Sequence, residues 1–157
     1  MVTSAPAVGS PAPPFALPAT GDREISLADL AGRTVVLWFY PRDATPGCTS
    51  EGQDFTANAT AFERAGAVIL GLSRDSVASH EKFRAKHAMP FELLSDEDGD
   101  VCRAYAVLKM KKMYGKEFEG IERSTFLIDA NGVLRHEWRK VKVPGHVDEV
   151  LAAVREP

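Results

Sequence analysis

The chain has 157 residues, of which 45% are hydrophobic and 26% charged, with 19 Lys and Arg against 22 Asp and Glu. This length fits one domain that buries its own core without disulfides or a structural metal. The net charge of −3 argues against a nucleic-acid binder, and no apolar run approaches the roughly 20 residues that a membrane-spanning helix needs.

The N-terminal part of the chain is rich in Ala and Pro, and we expect residues 1–13 to be a flexible start of a single domain over residues 1–157. It lacks the basic start and the sustained apolar segment of a secretory signal. Residues 14–17 predict a short edge strand, and residues 26–30 predict one helical turn capped by Ser26. The two cysteines do not form a disulfide framework, so we expect a cytoplasmic protein with reduced thiols.

An apolar strand followed by a turn and a helix is the most informative segment. Residues 35–40 form an uninterrupted β-branched and aromatic run, typical of a strand covered on both faces. Pro41 then turns the chain, and Thr45 followed by Pro46 predicts an N-cap with proline at the first helical position. We expect one helix over residues 45–64.

Cys48 falls in the first turn of that predicted helix. Unpaired N–H groups and the positive end of the helix dipole stabilise a thiolate at such a position, so a nucleophilic cysteine is the first hypothesis. The cysteine also begins a core-facing stripe with helical spacing, which indicates a sheltered sulfur. The stripe consists of Cys48, Gly52, Phe55, Ala59 and Phe62.

The rest of the chain alternates strand and helix before an antiparallel hairpin. The pattern predicts a strand over residues 67–73, a helix from its cap Ser76 to about His87, a short helix over 100–108, a hairpin over 124–140 and a last helix over 146–154. The basic stretch of residues 109–116 is interpreted as a solvated face. This order predicts the α/β class, with a thioredoxin-like fold in which helices flank a central mixed β-sheet.

The motif Pro41-x-x-x-Thr45-x-x-Cys48 resembles the active-site signature of the peroxiredoxins. Residues 45–51, TPGCTSE, are similar to the bacterioferritin-comigratory or PrxQ group of that family. Three further segments look like the same group, so the resemblance covers nearly the whole chain. They are residues 73–76, 112–116 and 121–128.

The resemblance implies a thiol peroxidase that reduces hydrogen peroxide and organic hydroperoxides. Cys48 would be the peroxidatic nucleophile, which attacks one peroxide oxygen and becomes a sulfenic acid. Thr45 would hydrogen-bond the peroxide, and Arg123 would be a permanently charged donor beside thiolate and peroxide. Pro41 would shield the sulfur from water. The family resemblance also implies recycling by thioredoxin, glutaredoxin or a small thiol, and a monomer.

Each of these residues also has an ordinary structural interpretation. Cys48 taken alone would be a small buried hydrophobe, Thr45 a plain N-cap and Arg123 a surface ion-pair residue. Two other functions stay open. One is a non-enzymatic redox sensor or binding module that uses oxidation of Cys48. The other is a thioredoxin-like disulfide reductase, which is disfavoured because Thr45 occupies the place of the first cysteine of a Cys-x-x-Cys motif.

The second half of the catalytic cycle is where this chain departs from the better-known family patterns. Gln53 and Arg84 stand where relatives carry a resolving cysteine. Cys102 could resolve Cys48 only if local unfolding brings the two together, so we favour a one-cysteine cycle with an external thiol. The four histidines lack metal-ligand spacing and there is no phosphate-binding glycine motif, so we expect no metal and no other cofactor.

Overall fold

In a computed structural model, which describes residues 5–156, the chain folds into nine strands, five α-helices and a 3₁₀ turn over Ala28–Leu30. The strands are β1 Ala16–Ala19, β2 Arg23–Ser26, β3 Thr34–Phe39, β4 Ala67–Ser73, β5 Glu92–Ser95, β6 Leu108–Met113, β7 Lys116–Ile121, β8 Ser124–Ile128 and β9 Leu134–Arg139. The helices are α1 Pro46–Ala57, α2 Ala59–Arg64, α3 Val77–Lys86, α4 Asp100–Ala104 and α5 His146–Arg155. Within the described range, none of these helices is long and apolar enough to cross a membrane.

Seven of the strands form one mixed sheet in the order β2-β1-β5-β4-β3-β8-β9. The central strands β3, β4 and β5 are parallel, as helical crossovers require, while β8 and β9 return as an antiparallel hairpin beside β3. Strand β3 therefore lies between β4 and β8. This confirms the predicted α/β thioredoxin-like fold with a central mixed sheet.

Two separate hydrophobic cores cover the two faces of the sheet. Alternate side chains of β3 point to opposite faces, so Val35, Leu37 and Phe39 belong to one core and Val36 and Trp38 to the other. Helices α1, α2, α3 and α5 contribute to the second core, and α4 contributes to the first. Burial on both faces explains why the β3 segment has no polar alternation.

Two predicted helices differ from the observed ones. The predicted helix over residues 45–64 is divided at Asn58, whose side chain donates to the backbone oxygen of Asp54 at 2.8 Å and whose φ of −105° leaves the helical range. The predicted helix over residues 100–108 ends at Ala104, because Ala106 adopts a positive φ of 56° and Leu108 begins β6.

The short strand β5 and the hairpin of β6 and β7 were absent from the sequence prediction. Strand β5 has only four residues, and the hairpin is rich in Lys and Glu with little apolar periodicity. Its turn residue Tyr114 is 97% exposed. The basic stretch of residues 109–116 is thus largely solvated, as expected, and the structure adds that it forms part of a two-stranded hairpin.

The N-terminal segment contacts the hairpin of β8 and β9. The Gly9 N–H donates to Leu134 O at 2.7 Å, the Leu134 N–H donates to Ser10 O at 2.9 Å, and the Ala12 N–H donates to Gly132 O at 2.9 Å. Residues 1–4 of the predicted flexible start lie outside the described part of the chain. The flexibility of residues 1–13 as a whole, and the assignment of residues 1–157 to one domain, stay predictions.

Candidate active site

Cys48 lies at the start of α1, directly beyond the carboxyl end of β3. It is the third residue of the helix, and its side chain has 0% exposure. The first N–H groups of any helix lack an acceptor within that helix. Because Pro46 carries no N–H, the groups at this helix start belong to Gly47 and Cys48. The sulfur is therefore sheltered, as predicted, beside unpaired backbone donors.

Arg123 reaches the sulfur from the neighbouring strand. It immediately precedes β8, which pairs with β3 along five residues. Its Nη2 lies 3.5 Å from Cys48 Sγ, and its Nη1 donates to Glu51 Oε1 at 2.6 Å. The sheet topology thus brings together two sequence-predicted site residues that are 75 positions apart.

Glu51 is a fully buried carboxyl group one helical turn after Cys48. Only Oε1 is bonded, and among the described residues Oε2 has no hydrogen-bond partner. Burial raises the pKa of Glu51 to about 7. The charge of Arg123 and its hydrogen bond lower this pKa, but their effect is smaller than that of burial. Burial alone would lower the pKa of Arg123, but the Glu51 carboxylate and the Cys48 sulfur raise it above its ordinary value. The guanidinium is therefore charged and fixed in place.

Gly47 gives Arg123 room to approach the helix start. A Cβ atom at this position would lie 2.9 Å from Arg123 Nη2, which is too close for a side chain. The sequence interpretation treated Gly47 only as a turn residue and gave no role to Glu51. A usable signal was present, because Glu51 follows Cys48 by three residues on the buried face of a helix, where a carboxylate requires a cationic partner.

Thr45 stands at the N-cap position, but its side chain does not cap the helix. Its hydroxyl donates to Arg42 O at 2.9 Å, and it makes no bond to an N–H of α1 within the described structure. The predicted N-cap position of Thr45, with Pro46 as the first helical residue, is confirmed, but the cap lacks a side-chain hydrogen bond in the described structure. The loop conformation explains this, because Ala44 adopts a positive φ of 63° and turns Thr45 back toward Arg42. With its proton directed to a carbonyl, the Thr45 oxygen is left as an acceptor.

Cys102 and Cys48 lie in the two different cores, on opposite faces of the sheet. The Cys102 side chain is fully buried, and its N–H donates to Asp96 Oδ2 at 2.8 Å. Burial, followed by the nearby Asp96 carboxylate, raises the pKa of the Cys102 thiol. The structure therefore does not bring Cys102 to Cys48.

The remaining sequence-predicted positions lie around the site or away from it. Pro41 follows the buried Tyr40 and is half-buried at the start of the loop. The side chain of Gln53 is exposed and lies 3.4 Å from His87 Nδ1, whereas Arg84 Nε donates to Phe91 O at 2.9 Å. Both positions carry ordinary polar contacts.

Burial and, to a lesser extent, the charge of Arg123 also lower the pKa of two further side chains, Lys111 and His146. Burial, followed by the Arg123 charge, lowers the pKa of Lys111, whose Nζ donates to Ile121 O at 2.7 Å. The same two causes lower the pKa of His146 to about 4, and its Nε2 lies 2.8 Å from Thr125 Oγ1. His146 is consequently neutral at pH 7, and its Nε2 shares a hydrogen bond with the Thr125 hydroxyl.

Comparison with known proteins gives consistent matches over nearly the whole chain. Residues 8–137 match the AhpC/TSA family. The chain is 53% identical over 147 residues to peroxiredoxin Bcp of Xanthomonas campestris, covering 92% of each protein. It is 47% identical over 149 residues to peroxiredoxin Bcp of Bacillus subtilis, covering 95% of each.

Solved structures agree with these matches. Peroxiredoxin Q of Xanthomonas campestris superposes with a TM-score of 0.86 at 52% identity, covering 90% of this chain and 89% of that one. A PrxQ variant from Xylella fastidiosa superposes with a TM-score of 0.91 at 42% identity, covering 97% of each chain.

The buried carboxyl group predicts a pH-dependent stability. Because the folded-state pKa of Glu51 lies near 7, above its ordinary value of 4.5, the folded state holds the proton more tightly than the unfolded state. Protonated Glu51 therefore stabilises the folded state below pH 4.5, and this contribution to the free energy of unfolding is lost as the pH rises through 7. The unfolding free energy of the wild type minus that of Glu51→Gln should therefore fall by about 3 kcal/mol between those limits.

Urea unfolding at a series of pH values measures this difference. Glu63→Gln, which changes an exposed carboxyl group on α2, is the matched control. A pH-independent difference between wild type and Glu51→Gln would contradict the assignment.

Proposed function

The chain belongs to the AhpC/TSA family and is a peroxiredoxin, and from this premise we propose that Cys48 is the thiol with which it reduces peroxides. The observation that carries the proposal is the 3.5 Å contact between Arg123 Nη2 and Cys48 Sγ at a helix start. A cation and unpaired N–H groups beside a sulfur favour its ionised, nucleophilic form.

The chemical step transfers one oxygen atom to sulfur. The Cys48 thiolate attacks one peroxide oxygen, an S–O bond forms as the O–O bond breaks, and the other oxygen departs as hydroxide or alkoxide and takes up a proton. Arg123 and the backbone N–H groups at the helix start meet the negative charge that develops on the departing oxygen. Cys48 is left as a sulfenic acid.

Thr45 and Pro41 complete the peroxide site. The Thr45 hydroxyl already donates to Arg42 O, so toward substrate its oxygen accepts a hydrogen bond from the peroxide O–H. This orients the peroxide with one oxygen facing the sulfur. Pro41, without an N–H group, shields the sulfur from water.

The substrates are hydrogen peroxide and organic hydroperoxides. One related structural study concerns the alkyl peroxide reduction activity of the Xanthomonas campestris bacterioferritin comigratory protein. The present chain shares 52% identity with that protein over 90% of its length, which supports the same substrate range.

The cycle uses one cysteine of this chain. An external thiol condenses with the Cys48 sulfenic acid and releases water, and a second thiol reduces the mixed disulfide and restores the thiolate. The separation of Cys48 and Cys102 into two cores supports this route over an internal disulfide. Thioredoxin, glutaredoxin or a small thiol is the reductant of a monomer, and the two free cysteines suit a cytoplasmic location.

Substitutions of Cys48 and Arg123 test whether Cys48 is the thiol that reacts with peroxide. Cys48→Ser should abolish steady-state peroxide turnover with a thiol reductant. Arg123→Lys should lower kcat/KM by roughly 10²- to 10³-fold, because an ammonium group cannot bridge Glu51 and the sulfur as a guanidinium does. Cys102→Ser is the control and should retain turnover. Turnover by Cys48→Ser would overturn the proposal, and stoichiometric oxidation without turnover in the wild type would favour a redox sensor.

Intact mass analysis under non-reducing conditions tests the one-cysteine cycle. After one equivalent of peroxide, the protein should gain the mass of one oxygen atom, and addition of thioredoxin or a small thiol should remove it. After denaturation, Cys102 should still react with an alkylating agent. A decrease in mass by two hydrogen atoms, with neither cysteine reacting with the alkylating agent, would instead establish a Cys48–Cys102 disulfide and contradict this cycle.

A further inference from the structure

A buried polar network holds the loop that connects β3 to α1, and its members make no hydrogen bond to the Cys48 sulfur within the described structure. Asp43 is its centre and is 8% exposed. The Tyr40 hydroxyl donates to Asp43 Oδ1 at 2.6 Å, and the Ser79 hydroxyl donates to Oδ2 at 2.8 Å. His80 Nδ1 also lies 2.8 Å from Oδ2. The loop is thereby bonded to the first turns of α3.

Both ring nitrogens of His80 have a hydrogen-bond partner. Its Nε2 lies 2.9 Å from Leu94 O, and since a carbonyl only accepts, Nε2 carries a proton. Burial would raise the pKa of Asp43, but hydrogen bonds and charge from His80, with bonds from Tyr40 and Ser79, lower it below its ordinary value. Asp43 is therefore a carboxylate, and Nδ1 donates to it. His80 and the Asp43 carboxylate form a buried hydrogen-bonded pair.

The backbone of the loop is held as firmly as the Asp43 side chain. The Asp43 N–H donates to Asp75 Oδ2 at 2.9 Å, and the Ser73 hydroxyl donates to the same oxygen at 2.6 Å. The next residue, Ala44, has a φ of 63°, which a residue with a Cβ adopts only when its surroundings hold it there. Thr45 and the start of α1 follow directly.

The two halves of the catalytic cycle make opposite demands on this loop. Reaction with peroxide needs Thr45 and the helix start fixed around a buried Cys48, whose exposure is 0%. Reduction of the resulting sulfenic acid by an external thiol needs a sulfur that the thiol can reach. In a one-cysteine cycle the loop and the first turn of α1 therefore have to move between the two steps.

We propose that Asp43 and His80 are positioning residues, a latch that fixes residues 41–45 and the start of α1 for reaction with peroxide and that opens for reduction by a thiol. The proposal rests on Cys48 being the reacting thiol. The ligand atoms of Asp43, Asp75 and His80 lie within 4.8 Å of one another, and the two carboxylates accept hydrogen bonds from Tyr40, Ser73 and Ser79. The cluster acts as a hydrogen-bonded latch.

Separate rate constants for the two half-reactions test the latch. Stopped-flow fluorescence of the two tryptophans, Trp38 in the core that holds Cys48 and Trp138 packed against it, follows both half-reactions. In Asp43→Ala and His80→Ala, the rate constant for oxidation by peroxide should fall by about tenfold or more, because the helix start is no longer fixed. The rate constant for reduction of oxidised Cys48 by dithiothreitol should rise severalfold, because the sulfur is exposed more often.

Asp43→Asn is the conservative variant. Its amide can donate to Nδ1 of a neutral His80 that still donates from Nε2 to Leu94 O, while its oxygen accepts from Tyr40. Oxidation should return to within about threefold of the wild-type rate, since fixed geometry sets the rate.

Asp96→Ala is the matched control, because Asp96 is also a buried carboxylate and accepts from the Val101 and Cys102 N–H groups in the other core. It should lower stability and leave both rate constants unchanged. Ser79→Ala removes one donor to Asp43 and should shift the rates in the same directions by a smaller factor, which keeps the test decisive if Asp43→Ala does not fold.

Parallel loss of both rates in the latch variants, or no change in either, would overturn the latch while leaving Cys48 as the reacting thiol. Peroxide turnover by Cys48→Ser would instead overturn the proposed function. The two failures are therefore distinguishable.

Discussion

One guanidinium group, shared between a buried carboxyl group and a sulfur, connects the two halves of the site. Arg123 donates to Glu51 at 2.6 Å and faces Cys48 at 3.5 Å. A buried guanidinium and a buried carboxylate would each be costly alone, and their pairing offsets part of that cost, although burial still raises the pKa of Glu51 to about 7. Because β8 lies beside β3, the sheet itself places Arg123, which precedes β8, next to the helix that follows β3 and carries Glu51. While Nη1 donates to Glu51, the other terminal nitrogen of the guanidinium, Nη2, faces the Cys48 sulfur.

The structure divides the demands of the reaction between two sets of residues. Arg123 and Glu51 supply charge on one side of the helix start, and Asp43 and His80 fix the loop on the other side. Ala44, which directly follows Asp43, has a positive φ of 63°, a conformation that a residue with a Cβ keeps only when its surroundings hold it. The sheet meanwhile separates Cys102 from this arrangement, because the two cysteines lie in different cores.

The sequence predicted the strands that are buried on both faces. Strands β3 and β4 are continuous apolar runs, and the Pro and Gly residues around Cys48 indicated a helix start. The division at Asn58, the direction of the Thr45 hydroxyl and the pairing of Glu51 with Arg123 were missed, because each depends on which polar partner a side chain meets in space. The role of Arg123 came from family resemblance, since an arginine after a polar hairpin otherwise indicates a surface residue.

A double-mutant cycle on the rate constant for oxidation of Cys48 by peroxide tests the central interaction most directly. Glu51→Ala and Arg123→Ala should each slow oxidation, and the double variant should be no slower than Arg123→Ala, because Glu51 acts only through the guanidinium that it holds. If the two effects instead multiply in the double variant, Glu51 and Arg123 act independently, and the account of a carboxyl-held guanidinium at the sulfur is wrong.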